Sequence, residues 1–189
     1  MRLTERTAEE RPRKSFCVAL GGTITSLVLL LMFMSTIFPM FDYAIPTYAG
    51  FLIVAVIVEA GAKWALLTYF ACAFLCPLLT PDYEATLLFI MFMGYYPILY
   101  VLLMRLKSAA MIRSLKTAVF NAAMILYALI FQYIFTGVNL FEGMEMFGKW
   151  APLVLLAMAN MFFVFYDNIL GKLMKIYIMW FRKKVLKRK

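Results

Sequence analysis

The sequence predicts an all-α integral membrane protein: six transmembrane helices in one bundle, both termini in the cytoplasm, and a basic amphipathic C-terminal extension. Three observations predict it. Of the 189 residues 65% are hydrophobic and only 15% charged, where a soluble domain carries roughly 25% charge. The apolar residues gather into six runs, each close to the roughly 20 residues that a spanning helix needs. The charged residues between those runs alternate in sign along the chain.

The first run, Phe16–Met40, ends near Pro39. The second, Ala44–Ala60, has Pro46 at its start, where a missing N–H costs a helix nothing. Trp64–Leu79 is the third, bounded by Lys63 and by the turn Thr80-Pro81-Asp82. Only Glu59-Ala60-Gly61-Ala62-Lys63 separates the second from the third, which predicts a tight antiparallel pair. Tyr83–Met104, Ala118–Phe135 and Trp150–Leu170 complete the set. The chain then divides into a cytoplasmic tail (1–15), a transmembrane domain (16–171) and a basic cytoplasmic segment (172–189), without internal repeats. Met1–Lys14 is too charged, and the following run too long, for a cleavable signal peptide, so the first helix is expected to direct insertion.

Charge placement orients the bundle. Arg2, Arg6, Arg11, Arg13 and Lys14 precede the first span, and Lys63 sits between the second and third. Arg105, Lys107, Arg113 and Lys116 fall between the fourth and fifth, and a basic run follows Lys172. The alternate connections carry Asp42, then Asp82 and Glu84, then Glu142 and Glu145, with Lys149 the one basic residue among them. Basic loops stay in the cytoplasm, so both termini are expected there, in a bacterial inner membrane. The net charge of +9 is this topology signal in another form and does not point to nucleic acid. In Gly171–Lys189, Lys172, Lys175 and Arg182 share one helical face, with Leu173, Ile176, Tyr177 and Trp180 largely opposite. That pattern suits a helix lying on anionic lipid; a solvated basic anchor fits it equally.

Candidate chemistry is sparse. With no histidine, imidazole ligation of haem, zinc peptidase motifs and histidine proton relays are excluded. Cys17, Cys72 and Cys76 fall inside apolar runs and read as small packing residues. No metal or cofactor set is visible, and without paired midplane carboxylates or a Ser/Lys dyad an enzyme is not expected. Asp167 and Glu59 lie near the cytoplasmic ends of their helices, where Lys172 and Lys63 could pair with them. In the outward half, Tyr48, Tyr83, Glu84, Gln132, Tyr133, Asn139 and Asn160 could line a cavity with a few hydrogen-bonding groups. Interfacial tyrosine belts and interhelical hydrogen bonds explain the same residues. Tyr95 joins the set through Gly94-Tyr95-Tyr96-Pro97. There Pro97 cannot donate to the carbonyl of Met93, so the fourth helix is expected to kink, its carbonyl free for a ligand, a hydroxyl or water. The connections Pro39–Pro46 and Thr136–Lys149 could cover the cavity.

The first helix carries a small-residue face, Ala19, Gly22, Thr23 and Ser26, that permits close approach of another helix. With this face, the six spans, the short N-terminal tail and the two outward loops, the chain resembles the substrate-binding S-components of energy-coupling-factor vitamin transporters. The resemblance implies high-affinity capture of a small nutrient. It also implies association, through the first helix, with a transmembrane coupling protein that carries two ATPase subunits. Metal-transporting relatives depend on N-terminal histidines, so nickel and cobalt are excluded as cargo. The family's helix-one motif is alanine-rich, and only Ala19 matches it literally. An alternative is a non-transporting membrane scaffold resembling the MreD cell-shape proteins.

Overall fold

The computed structural model describes residues 12–134 and 145–179. Among them every regular element is helical: α1 (Lys14–Ile37), α2 (Ala44–Glu59), α3 (Ala62–Leu79), α4 (Tyr83–Leu103), α5 (Ala109–Ile134) and α6 (Ala151–Ile176). Five are long and apolar enough to cross a membrane; α2 is apolar but shorter, at 16 residues.

The breaks between helices follow from local chemistry. α1 stops at Phe38, whose backbone leaves the helical region (φ −125°, ψ 75°) because the following Pro39 disfavours the α conformation. A 3-10 turn, Pro39–Phe41, then leads to α2. Between α2 and α3 the chain reverses within two residues, and Gly61 takes φ +95°, a backbone region open mainly to glycine. At the start of α4 the Asp82 carboxylate accepts from the Ala85 N–H at 3.0 Å, with Glu84 in the first turn. Both features favour a helix N-terminus.

α1 packs on α2 and α3, α2 on α4, α4 on α5, and α5 on α6. α4 is the central helix: 61% of its span is buried, against 17% for α6. Large apolar side chains point outward instead, among them Leu30 and Phe33 on α1, Phe70 and Phe74 on α3, and Met161 and Phe165 on α6. An apolar surface this extensive is not stable in water and fits a lipid surround. Cys17, Cys72 and Cys76 are buried and unpaired by disulfides, as packing residues should be.

α4 breaks where the glycine and proline predicted. Phe89–Met93 forms a π turn, closed by Gly94 N–H donating to the Phe89 carbonyl at 2.8 Å, and a regular helix resumes at Tyr96. The carbonyls exposed by the break meet protein. Ile90 accepts from the Tyr69 hydroxyl at 2.8 Å. The Met93 carbonyl faces Gly50 of α2 so closely that a Cβ there would lie 2.4 Å from it. Glycine at 50 is therefore what lets α2 seat against the broken turn.

The largest departures from the sequence reading are in the last two helices. α5 begins at Ala109 rather than Ala118, because Ala109–Lys116 contains good helix formers whose charges hid them from a hydropathy count. α6 runs unbroken through Lys172 and Lys175 to Ile176; Trp180–Lys189, including Arg182, lies outside the described residues. Gly50→Ala should lower the thermal midpoint in detergent, since overpacking costs about 1–3 kcal/mol. Gly22→Ala, where a Cβ would meet nothing within 4 Å, should instead hold or slightly raise the midpoint, since alanine favours a helix interior over glycine.

Candidate functional site

Residues 116, 120, 123, 127 and 131 recur at helical spacing on α5, and all five are buried. The stripe runs from Lys116 through Phe120 and Ala123 to Tyr127 and Phe131, so a polar group lies toward each end of it.

Near the end bearing the chain's basic loops, Lys116 is almost fully enclosed. Its Nζ lies 2.7 Å from Asp167 Oδ1 on α6 and 3.7 Å from the ring centroid of Tyr100 on α4. The Tyr96 hydroxyl donates a short hydrogen bond to the same carboxylate oxygen. The sequence had placed Lys116 in a loop and paired Asp167 with Lys172. Instead Lys172 is exposed and Lys116 is the partner. Lys63 is likewise exposed, whereas Glu59 is 1% accessible. Next to the ion pair, Phe120 stacks on Phe163 with centroids 4.4 Å apart. Phe92 of α4 meets both edge-on, at 5.0 and 5.8 Å. Such pairs add about 0.5–1.5 kcal/mol each beyond burial.

At the far end of the stripe Tyr127 is 8% exposed, and its hydroxyl has no hydrogen-bond partner. It lies within electrostatic reach of Glu84, Tyr43, Asp82 and Asp42. Two connections thus bring three carboxylates within electrostatic reach of one buried phenol: Asp42 after α1, and Asp82 with Glu84 at the start of α4. The Tyr43 hydroxyl donates to Glu84 at 3.0 Å, and burial together with that carboxylate pushes the Tyr43 phenol up to about 12. Burial first, then the charges of Asp82 and Glu84, raises the Asp42 carboxyl above its free value. One oxygen each of Asp42 and Asp82 is buried without a partner. The cluster holds excess negative charge and unmet acceptors, the environment that a cationic group would relieve.

The residues singled out in the sequence are only partly gathered here. Glu84 belongs to the cluster. Tyr48, Tyr83, Gln132 and Tyr133 have exposed side chains. Tyr95 is half-buried against Tyr69 and Phe92. Asn160 is committed to α5: it donates to Asn121 Oδ1 at 2.8 Å and accepts from Asn121 Nδ2 at 3.1 Å. Asn139 lies outside the described residues. On α1, Ala19, Gly22, Thr23 and Ser26 all face outward. The hydroxyls of Thr23 and Ser26 donate to the carbonyls of Ala19 and Gly22 at 2.9 and 3.1 Å, so the face presents no unmet donor. Sequence reasoning missed Asp42, Tyr43, Tyr96, Lys116, Asn121 and Tyr127 as site residues. The spacing of the α5 stripe was the available signal for Lys116 and Tyr127.

No family model matches the chain, and no curated protein or solved structure matches it.

Asp167→Asn should destabilise more than Lys116→Ala. The first leaves a nearly enclosed ammonium (7% exposed) unpaired, while the second leaves a carboxylate that is 27% exposed. Breaking a buried pair costs about 3–5 kcal/mol, and thermal unfolding in detergent would give the order. Asp42 gives a pH signature. A carboxyl raised in the folded state costs stability as pH rises from its free value of 3.8 through the folded value. Asp42→Asn should therefore match the parent at the acid limit and unfold at a higher temperature at pH 7.

Proposed function

We propose that this chain is the substrate-binding subunit of a membrane uptake system, similar in kind to the S-components of energy-coupling-factor transporters, and that its ligand carries a positive charge. The observation that carries this reading is the buried, unpartnered Tyr127 hydroxyl within electrostatic reach of Asp42, Asp82 and Glu84, with one buried oxygen each of Asp42 and Asp82 also unpartnered. In the orientation expected from the basic loops, that cluster lies toward the outside of a bacterial cell membrane and both termini are cytoplasmic. A small nutrient with an ammonium or heteroaromatic cation would neutralise the carboxylates, and the phenol would fix its position.

Energy for release inward would come from partners, a transmembrane coupling protein with two ATPase subunits. The outward face of Ala19, Gly22, Thr23 and Ser26 is the surface for that association. Its serine and threonine hydroxyls are already bonded within α1, so a partner helix can approach without stranding a polar group. A scaffold similar to the MreD proteins is the second reading. It is favoured by the open side chains of Tyr48, Tyr83, Gln132 and Tyr133, which are not drawn into the cluster.

Mass spectrometry of metabolites retained by the detergent-purified protein tests the proposal. A stoichiometric cationic metabolite, lost from Glu84→Gln and reduced roughly tenfold in affinity by Tyr127→Phe, is the expected result. A preparation with no bound metabolite and no thermal shift across a panel of cationic vitamins and amines would overturn it. Gly22→Leu should abolish co-purification of the coupling protein while leaving metabolite binding intact.

A further inference from the structure

The basic end of the bundle carries an open cavity of about 690 Å³. It is walled by α1, the α2–α3 turn, the end of α4 and Met174 of α6. Arg13, Lys14, Lys63 and Arg105 line it, and none of its lining residues is acidic. Trp64, Val101 and Met174 supply apolar wall.

Two helices begin in this cavity, and both begin badly for a helix standing alone. α1 starts with Arg13 at its N-cap and Lys14 in its first turn, without a side-chain cap or an acidic residue. α3 starts after Gly61, again without a side-chain cap or an acidic residue, and with Lys63 in its first turn. A helix N-terminus already carries a partial positive charge and free N–H donors, which favour an anion. Cations at these positions raise the local potential further. α4, by contrast, receives Asp82 and Glu84 at its N-terminus. Two helix starts without side-chain caps and four basic side chains therefore border one space that has no carboxylate among its described lining residues.

We propose that this cavity binds the phosphate headgroup of an anionic phospholipid. The donor set is that of a phosphate site: N–H groups at helix starts, supplemented by arginine and lysine. The place favours a lipid over a soluble phosphate, because the cavity sits where apolar helices end and its wall is apolar, as the edge of a headgroup region demands. Basic pockets between helices at the cytoplasmic face select anionic lipid on these grounds. The proposal does not depend on the uptake reading.

Native mass spectrometry tests it, using the full chain in detergent with added phosphatidylglycerol or phosphatidylcholine. The expected result is one retained phosphatidylglycerol per chain, preferred over phosphatidylcholine. Arg13→Gln combined with Lys63→Gln should lower that preference roughly tenfold. Lys107→Gln combined with Arg113→Gln removes the same charge from the same end but outside the cavity, and should leave the preference intact. Arg13→Lys with Lys63→Arg should restore binding, which separates loss of the site from loss of fold. Equal losses in the two glutamine pairs would reduce the effect to net charge and overturn the proposal. So would displacement of the lipid by inorganic phosphate at equal occupancy, which would assign the site to a soluble anion.

Discussion

A lysine ammonium enclosed in an apolar helical bundle is costly in proportion to how little water reaches it, and Lys116 is 6% exposed. Its hydration must be replaced by protein, which requires Asp167, the Tyr100 ring and the Tyr96 hydroxyl to converge at one point. Those groups come from α4 and α6, so satisfying one charge fixes the relative height and rotation of three helices. The requirement bears most on α6. With only 17% of its span buried, apolar packing alone holds it weakly. Transmembrane helices gain no hydrophobic drive against one another, since lipid is as apolar as leucine. The ion pair, the reciprocal Asn121–Asn160 hydrogen bonds and the Phe120–Phe163 stack supply what packing does not.

The other half of the bundle is organised by backbone rather than charge. Proline at 97 and glycine at 94 open α4, and the opened carbonyls define where α2 and α3 must sit. Tyr69 of α3 answers Ile90, and the bare Cα of Gly50 accommodates Met93. Gly94 performs the reciprocal service, since a Cβ there would lie 2.8 Å from the Tyr69 ring. α4 thus makes a backbone-mediated contact on one side and a charge-mediated contact on the other.

Much of this was legible in the amino-acid order. Four helix boundaries, the tight turn at Gly61 and the break in α4 followed from apolar runs, glycine and proline, because these features act locally. Lys116 was not legible to hydropathy. A span count ends at the first charge, and a charge buried against a residue 51 positions away looks the same as one in a loop. Asn160 fitted either a ligand contact or an interhelical hydrogen bond, and the choice was not legible because its partner, Asn121, lies on another helix and leaves no sequence mark beside it. The acid–tyrosine cluster was visible only in part. Glu84 was named as a candidate, but Asp42 and Asp82 read only as loop charge, and the approach of all three to Tyr127 depends on how separate segments fold back to one end. The small face of α1 was found, but only packing could show that it points away from the bundle.

The break in α4 has a mechanical consequence. A straight helix can slide along a neighbour by exchanging one ridge for the next. A helix whose widened turn is gripped by a glycine on one side and a tyrosine hydroxyl on the other cannot, because a shift of one residue would drive a side chain into the Met93 carbonyl. The α1–α4 group is therefore keyed against shear.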